Sequence, residues 1–274
     1  GLSLLLYPTV ANTWNKFHQS RAIDSYTETV SKMSQEEYDR LWQEAVDYNS
    51  NIKNRSNLHK LSDEERIKYE SILNLSGDGI MGSIEIPSID VLLPIYHGVE
   101  DRTLQNGVGH IEWSSLPVGG LGSHCVLSGH RGLPSARLFT DLDKLVEGDV
   151  FTLTVMEEVL TYEVDQISIV LPEDISKLEF VEGQDYCTLV TCTPYGINTH
   201  RLLVRGHRIE TVDNGTTVRV ISDAVQIEPL LVAVVIGIPL LALSTVIVLL
   251  ISGKRDKRKK SKKEVEGGEE REKD

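Results

Sequence analysis

The chain has 274 residues, of which 40% are hydrophobic and 25% are charged, a composition typical of a folded protein with one sizeable domain. Its net charge of -13 is unevenly distributed, because the last 23 residues carry ten basic and seven acidic side chains, which leaves 18 basic and 34 acidic residues before them. So acidic a main body is a poor binder of nucleic acid or of an anionic membrane surface, and nucleic acid is therefore excluded as a partner.

The N-terminal part of the chain is predicted to hold a membrane-proximal segment followed by a helical region. Residues 1–8 are apolar but too few to span a bilayer, and we expect residues 1–30 to be a membrane-proximal segment that continues a longer signal or anchor. Capping boxes at Ser34 and Ser62, each with a glutamate three residues later, predict two helices within residues 31–78. The apolar stripe of the first helix indicates that this region packs on the main domain as structural cover.

From residue 79 to residue 212 the chain is predicted to be mainly β. Short runs rich in Val, Ile, Thr and Leu are separated by Gly, Pro and Asp, which favours a closed barrel or a sandwich of seven or eight strands. The predicted strands are Gly82–Ile86, Val91–Ile95, Cys125–Leu127, Val150–Val155, Leu160–Ile169, Cys187–Val190 and Arg201–Val204.

The C-terminal part of the chain predicts a membrane anchor. Residues 230–251 carry no charge over 22 positions, enough for a helix to cross a hydrocarbon core, and a juxtamembrane stalk over 213–229 precedes them. Residues 254–263 carry eight Lys or Arg, so the positive-inside rule places the charged tail, residues 252–274, in the cytoplasm. The predicted location is the cell membrane, with the acidic body outside the cell.

The three cysteines, Cys125, Cys187 and Cys192, form no CxxC pair and no close cluster with histidine, so we predict no metal site and no cofactor. Strand alternation places Cys192 on the face opposite Cys187, at the end of the run Thr188-Leu189-Val190-Thr191-Cys192. A side chain at a strand end can reach a surface groove. Cys192 is therefore the candidate nucleophile, and Cys125 and Cys187 are expected to pack in the core.

Two further residues complete a candidate catalytic triad. Arg201 begins the extended run that follows the turn after Cys192, and a fixed cation there can face the same reacting carbonyl group. His130 lies between glycines directly after a predicted strand, where a general acid or base can act. His200 is the rival histidine, but its side chain should point away from that of Arg201.

These residues carry a resemblance to the sortase transpeptidases of Gram-positive cell surfaces. The motifs that resemble the family are TLVTC followed nine residues later by Arg201, SGHRG around His130, and GSIEIPSIDVLLPIYHG further upstream. Leu133-Pro134-Ser135 and Thr193-Pro194-Tyr195-Gly196 resemble class C members, which polymerise pilins. The resemblance is dense over residues 79–212 and implies an eight-stranded β-barrel with N-terminal helices.

The resemblance also implies a reaction. Cys192 would attack the threonine carbonyl of an LPXTG-like sorting signal, His130 would act as general acid and base, and Arg201 would stabilise the oxyanion or hold the substrate. The acceptor in class C is a lysine amine of the next pilin. Two alternatives stay open: a sortase that anchors surface proteins to a peptidoglycan amine, and a membrane-tethered binding domain without catalysis.

One feature of class C is missing from this sequence. Members commonly carry an Asp-Pro-aromatic lid in the N-terminal region, yet this chain has no proline between Pro8 and Pro87. Either the groove is open, or another element covers it, for which the helices of residues 34–73 are the candidate. Trp113 stands where the family pattern has a small residue. We expect it to pack in the core, with a place in the groove wall as the alternative.

Overall fold

The computed structural model describes residues 2–55 and 57–211 of the chain. These residues lie in a compact unit that covers residues 1–212. The predicted stalk over 213–229, the transmembrane helix over 230–251 and the charged tail over 252–274 lie outside the described residues.

The two helices predicted within residues 31–78 are present, and the N-terminal third of the chain is largely helical. Ser34 and Ser62 are the N-caps of the two predicted helices, and each side chain accepts the N–H of the glutamate three residues later. The reciprocal bond of a capping box forms at Ser62, whose N–H donates to Glu65 at 2.8 Å. The helices are α1 (Leu2–Ser31), α2 (Gln35–Asn51), α3 (Asp63–Ser71) and the short α4 (Asp101–Asn106).

Helix α1 was not predicted from the sequence. It runs for 30 residues and is held on the barrel near its C-terminal end, where Tyr26 and Val30 are buried in the main core. The Tyr26 hydroxyl donates to the carbonyl of Met81 and accepts the N–H of Met156, both at 3.0 Å. One buried hydroxyl thus joins the helix to two separate segments of the barrel.

Eight strands close into a barrel, so the prediction of a mainly β, eight-stranded closed barrel with N-terminal helices is confirmed. The order around the barrel is β1, β2, β3, β4, β7, β8, β6, β5. The seven predicted strands are present, most with small changes at their ends, whereas β8 continues to Ile209, well beyond its predicted end at Val204; the three-residue β3 was missed. The strands are β1 (Ile80–Ile86), β2 (Val91–His97), β3 (Val108–His110), β4 (Ser123–Ser128), β5 (Val150–Val155), β6 (Glu158–Val170), β7 (Asp185–Thr193) and β8 (His200–Ile209).

The strands β4, β7 and β8 have both faces covered. Their inward side chains, such as Leu127, Leu189 and Val204, belong to the main core, which also receives apolar side chains from α1, α2 and α3. Val126, Val190 and Leu203 point outward and form a second, smaller cluster with Leu178 from the segment between β6 and β7. This double burial fixes the register of the three strands, because a slip of one residue would exchange their two faces.

Within the described residues, none of the helices has the combination of length and apolar character that a membrane crossing needs.

Replacing Tyr26 by Phe should destabilise the protein by about 1–3 kcal/mol, because the N–H of Met156 and the carbonyl of Met81 lose a buried partner. Urea unfolding followed by circular dichroism measures the change. Thr27→Ala is the matched control, since its exposed hydroxyl bonds only within the helix and its loss should cost less than about 0.5 kcal/mol. Equal effects of the two substitutions would contradict this role of Tyr26.

Candidate active site

Cys192 is the second-last residue of β7 and lies where the strand leaves the barrel. Its neighbours along the strand alternate as predicted: Cys187 and Leu189 point into the main core, and Val190 belongs to the outer cluster. Cys192 shares the outward parity of Val190 but is only half-buried, since it lies beyond that cluster. The candidate nucleophile is therefore on the outer face of the barrel, at the end of a strand whose interior positions are closed to solvent.

Arg201 is paired directly with Cys192 across the antiparallel strands β7 and β8. Residues directly opposite each other in such a pair place their side chains on the same face. The Nη1 of Arg201 donates to the carbonyls of Asn198 and His200, at 3.2 and 3.1 Å, which holds the guanidinium against the β7–β8 turn. Within the described part of the chain, the side chain of Arg201 makes these two hydrogen bonds, both from Nη1. Its Nε and Nη2 are therefore available to donate to a ligand.

His130 follows β4 by two residues, and β4 runs parallel to β7. Ser128 is paired with Val190, and the N–H of Gly129 donates to the carbonyl of Val190 at 3.0 Å. His130 follows Gly129 directly, so it leaves β4 at the end of that strand which adjoins the end of β7 that carries Cys192. The three predicted residues are thus found at one end of three adjacent strands.

The glycines that flank His130 are required for different reasons. Gly132 has φ of 79°, a conformation that other residues rarely adopt, and an added Cβ would meet the ring of Tyr195 at 2.9 Å. At Gly129 the limit is space, because an added Cβ would lie 2.6 Å from the buried ring of Phe139. Gly132 therefore permits the turn that follows His130, whereas Gly129 permits the close packing of Phe139 next to the histidine.

The alternative candidates lie away from this centre. Cys125 and Cys187 are paired across β4 and β7 inside the main core, and burial raises the pKa of the Cys187 thiol well above its usual value. His200 is paired with Thr193, one position beyond the pair of Cys192 and Arg201, and its Nδ1 bonds the Thr199 hydroxyl at 3.0 Å. The side chains of His200 and Arg201 therefore point to opposite faces of β8, as the strand alternation predicts.

Two side chains outside the predicted triad also belong to this centre. The hydroxyl of Thr191, which precedes Cys192, donates to the carbonyl of Gly129 at 2.7 Å. Arg131, which follows His130, donates from Nη1 to the hydroxyl of Thr193 at 3.3 Å. The bonding partner of each residue lies 62 positions away, so nothing in the sequence indicated these contacts. The one signal that it held for Thr191 and Arg131 was that each is next to a predicted catalytic residue.

The N-terminal helix α1 reaches the loop that carries His130. Asn15 donates to the carbonyl of Ser135 at 2.9 Å, and Asn12 accepts the N–H of Arg137 at 3.0 Å. The helices proposed as a cover for the groove pack instead near β3, where Tyr69 bonds His110 and Arg66 pairs with Glu112. The helix that contacts the histidine loop is therefore α1, while Cys192 stays partly exposed.

Trp113 packs against apolar side chains, as expected, and it does so between the main core and the outer cluster. It is half-buried and contacts both the main core and the outer cluster, and its ring meets that of His59 edge-on with centroids 5.0 Å apart. The outer cluster includes Val190, two residues before Cys192. Trp113 thus supports the outer barrel face on which Cys192 lies.

A buried histidine lies on the same face, further along β4. The Nδ1 of His124 is 2.9 Å from the carbonyl of Glu179, and its Nε2 is 2.7 Å from the hydroxyl of Thr188. Burial lowers the pKa of His124 to about 4, and the nearby Arg205 acts in the same direction. His124 is therefore a neutral ring that fastens the segment between β6 and β7 to the barrel.

Comparison with known proteins gives one family. A family model described as Sortase domain matches residues 84–209. The chain is similar to the crystal structure of sortase C1 from Streptococcus agalactiae, at 50% identity and a TM-score of 0.68, over 70% of this chain and 99% of that one. It is also similar to sortase C of Streptococcus pneumoniae, at 43% identity and a TM-score of 0.64, over 70% and 97% of the two chains.

A third similar structure is the Clostridium perfringens sortase C solved with the C-terminal cell wall sorting motif, at 44% identity and a TM-score of 0.62, over 70% of this chain and 100% of that one. Among curated proteins, three sortases are 30–32% identical, and the chain spans 61–66% of their lengths.

The depressed pKa of His124 predicts a loss of stability in acid. The ring is neutral in the fold, whereas in the unfolded chain it binds a proton below about pH 6.5, so the free energy of unfolding should fall as the pH drops from about 6.5 to about 4. This contribution is at most about 3 kcal/mol and should be absent in His124→Gln. Urea midpoints between pH 4 and pH 7 measure it, with the exposed His18→Gln as control. A His124→Gln variant with the slope of the wild type would refute the assignment.

Proposed function

The chain belongs to the sortase family, within its class C, and from this premise we propose that it is a membrane-anchored cysteine transpeptidase that polymerises pilins. The observation that carries the proposal is the pairing of Cys192 with Arg201 on neighbouring strands, with His130 at the same end of the parallel strand β4. A thiol, an imidazole and a guanidinium at one strand end supply a nucleophile, a proton carrier and a fixed positive charge for acyl transfer.

The first half of the proposed reaction forms a thioester. Cys192 gives its thiol proton to His130, its sulfur attacks the threonine carbonyl carbon of an LPXTG-like sorting signal, and the carbonyl oxygen becomes an oxyanion. Arg201 donates to that oxyanion from the part of its guanidinium that the β7–β8 turn leaves unused. The peptide bond after threonine then breaks, and His130 gives a proton to the leaving amine.

The second half transfers the acyl group to an amine. A lysine amine of the next pilin attacks the thioester carbon, and His130 takes the proton that this amine loses. The carbon–sulfur bond breaks, which restores Cys192 and leaves an isopeptide bond between two pilins. The half-buried position of Cys192 supports this step, because the thioester must be reached by a second protein.

The substrate class in this proposal rests on the similar structures. The Clostridium perfringens sortase C was solved with a cell wall sorting motif, and the Streptococcus pneumoniae sortase C structure concerns pilin substrate specificity. The identities of 44% and 43% cover almost the whole of those two chains, which makes the same substrate class the best choice for this protein.

Incubating the protein with an LPXTG peptide and a panel of amines tests the reaction. We expect cleavage after threonine, a thioester adduct on Cys192 seen by mass spectrometry, and transfer to a pilin peptide that contains lysine. Cys192→Ala should give no adduct and no product, and Arg201→Ala should lower the rate by about 10²–10³ because an oxyanion donor is lost.

The choice of amine decides between the possible functions. Transfer to a peptidoglycan stem amine in place of lysine would replace pilin polymerisation by cell wall anchoring. Failure of the wild-type protein to cleave any sorting signal, with ligand binding unchanged in Cys192→Ala, would instead support a binding domain.

The same proposal includes the anchor. Residues 230–251 form an uncharged run, and the basic residues of 254–263 follow it, so we place the barrel outside the cell and the C-terminus in the cytoplasm. This orientation puts Cys192 in the compartment where surface proteins are joined.

A C-terminal epitope tag tests this topology. In intact protoplasts the tag should resist added protease while the barrel is accessible, and the tag should be cleaved only after lysis. Exchange of the basic residues in 254–263 for Gln should weaken this preference, because the basic charge sets the orientation. A wild-type tag that is cleaved in intact protoplasts would exclude the proposed orientation.

A further inference from the structure

The residues on both sides of His130 are bonded to the residues on both sides of Cys192. Before the histidine, the carbonyl of Gly129 accepts from the Thr191 hydroxyl at 2.7 Å. After it, Nη1 of Arg131 donates to the Thr193 hydroxyl at 3.3 Å. The two bonds flank the predicted catalytic pair, so the relative position of His130 and Cys192 depends on both.

The bond from Arg131 belongs to a larger set of contacts. Its Nη2 donates to the carboxylate of Asp143, which lies in the 3₁₀ turn Leu142–Lys144. The guanidinium carbon lies 5.8 Å from the centre of the Tyr195 ring, in the turn that follows Cys192. One cation therefore connects the histidine loop, the β7–β8 turn and the 3₁₀ turn.

This connection is costly in free energy. The Arg131 side chain is 9% exposed, and within the described residues its buried Nε has no hydrogen-bond partner. Removing a cation from water is unfavourable, and a single carboxylate that is 46% exposed only partly offsets this loss of hydration. Apolar side chains hold loops together at lower cost, so the stability of this loop does not by itself explain a buried arginine.

We propose that Arg131 is a positioning residue for the transpeptidase reaction, and that its guanidinium holds the β7–β8 turn in the place that brings Cys192 to His130. This role rests on the proposed function. Thr193 and Tyr195 begin the turn directly after Cys192, so a turn released from Arg131 displaces the sulfur and the attached substrate together. Arg131 contacts neither the sulfur nor the imidazole and acts through their neighbours.

The same loop supplies a matched control. Arg137 pairs with Asp141 four residues later, as Arg131 pairs with Asp143 twelve residues later, but the Arg137 side chain is 60% exposed. An exposed pair of this kind contributes little to stability. Arg137→Ala therefore removes an arginine and an ion pair from the same loop while leaving the contacts of Thr193 and Tyr195 intact.

The test compares Arg131→Ala, Arg131→Lys, Asp143→Asn and Arg137→Ala in the 274-residue chain in detergent. Cleavage of an LPXTG peptide gives kcat and KM below the melting temperature of every variant. We expect Arg131→Ala to lower kcat on the order of a hundredfold with KM changed less than about threefold, because misplaced reacting groups lower the rate more than the binding. Arg137→Ala should match the wild type.

A second readout does not depend on the transpeptidase reaction. Cys125 and Cys187 are buried and Cys192 is only half-buried, so iodoacetamide should modify Cys192 in the folded protein, and the rate at one fixed pH reports how accessible its sulfur is. In Arg131→Ala this rate should rise, because a released β7–β8 turn no longer holds the sulfur in its half-buried place. Arg131→Lys should lose about tenfold in kcat, because one ammonium does not reproduce the contacts of the planar guanidinium with Thr193 and Asp143.

The possible outcomes separate the two proposals. A wild-type chain that cleaves no sorting signal removes the proposed function, and the alkylation rate then still reports whether Arg131 positions Cys192. Arg131→Ala with the kcat and the alkylation rate of Arg137→Ala would overturn the positioning role. If Arg131→Ala does not fold, Arg131→Lys and Asp143→Asn give the same test, and wild-type kcat in both would overturn the role.

Discussion

The parallel pairing of β4 with β7 is the constraint on which the candidate site depends. Six consecutive residue pairs, from Ser123 with Asp185 to Ser128 with Val190, set the register, and the next residues of each strand lead to His130 and Cys192. Strands that run in the same direction end at the same edge, so a histidine that follows one strand and a cysteine at the end of the other lie at the same edge of the barrel. The antiparallel partner β8 begins at that edge and brings Arg201.

The candidate site is accessible because the side chains of β7 are no longer fully buried at the end of the strand, where Cys192 lies. Inside β7 both faces are covered, one by the main core and the other by the cluster around Val190, so the register has no freedom. The residues that precede Cys192 in β7 are held in place by burial on both faces, while the side chain of Cys192 itself is only half-buried. A nucleophile with these surroundings is held in place by the core yet can be reached by a macromolecular substrate.

Much of this arrangement could be predicted because its signals are local. β-Branched runs marked seven strands, two serines with a following glutamate marked two helices, and alternation separated the face of Cys192 from that of Cys187. Helix α1 was missed because it lacks such a signal and is fixed by its docking on the barrel through Tyr26. The strand β3 was missed because three residues, Val108–His110, are too few for a pattern. The contacts of Arg131 could not be predicted, since they join segments that only the closed barrel brings together.

The distances along the sequence between paired segments also govern how the protein acquires its reactivity. The bonds that join the histidine loop to the cysteine strand span 62 residues, whereas the caps of α2 and α3 span three. Long-range pairing closes large loops and is slow to form, so the helices can appear early and the site only when the barrel is complete. A newly synthesised chain therefore lacks the arrangement of Cys192, His130 and Arg201 until its last strands have paired. Under the proposed function, an incompletely folded chain would not yet be able to join substrates.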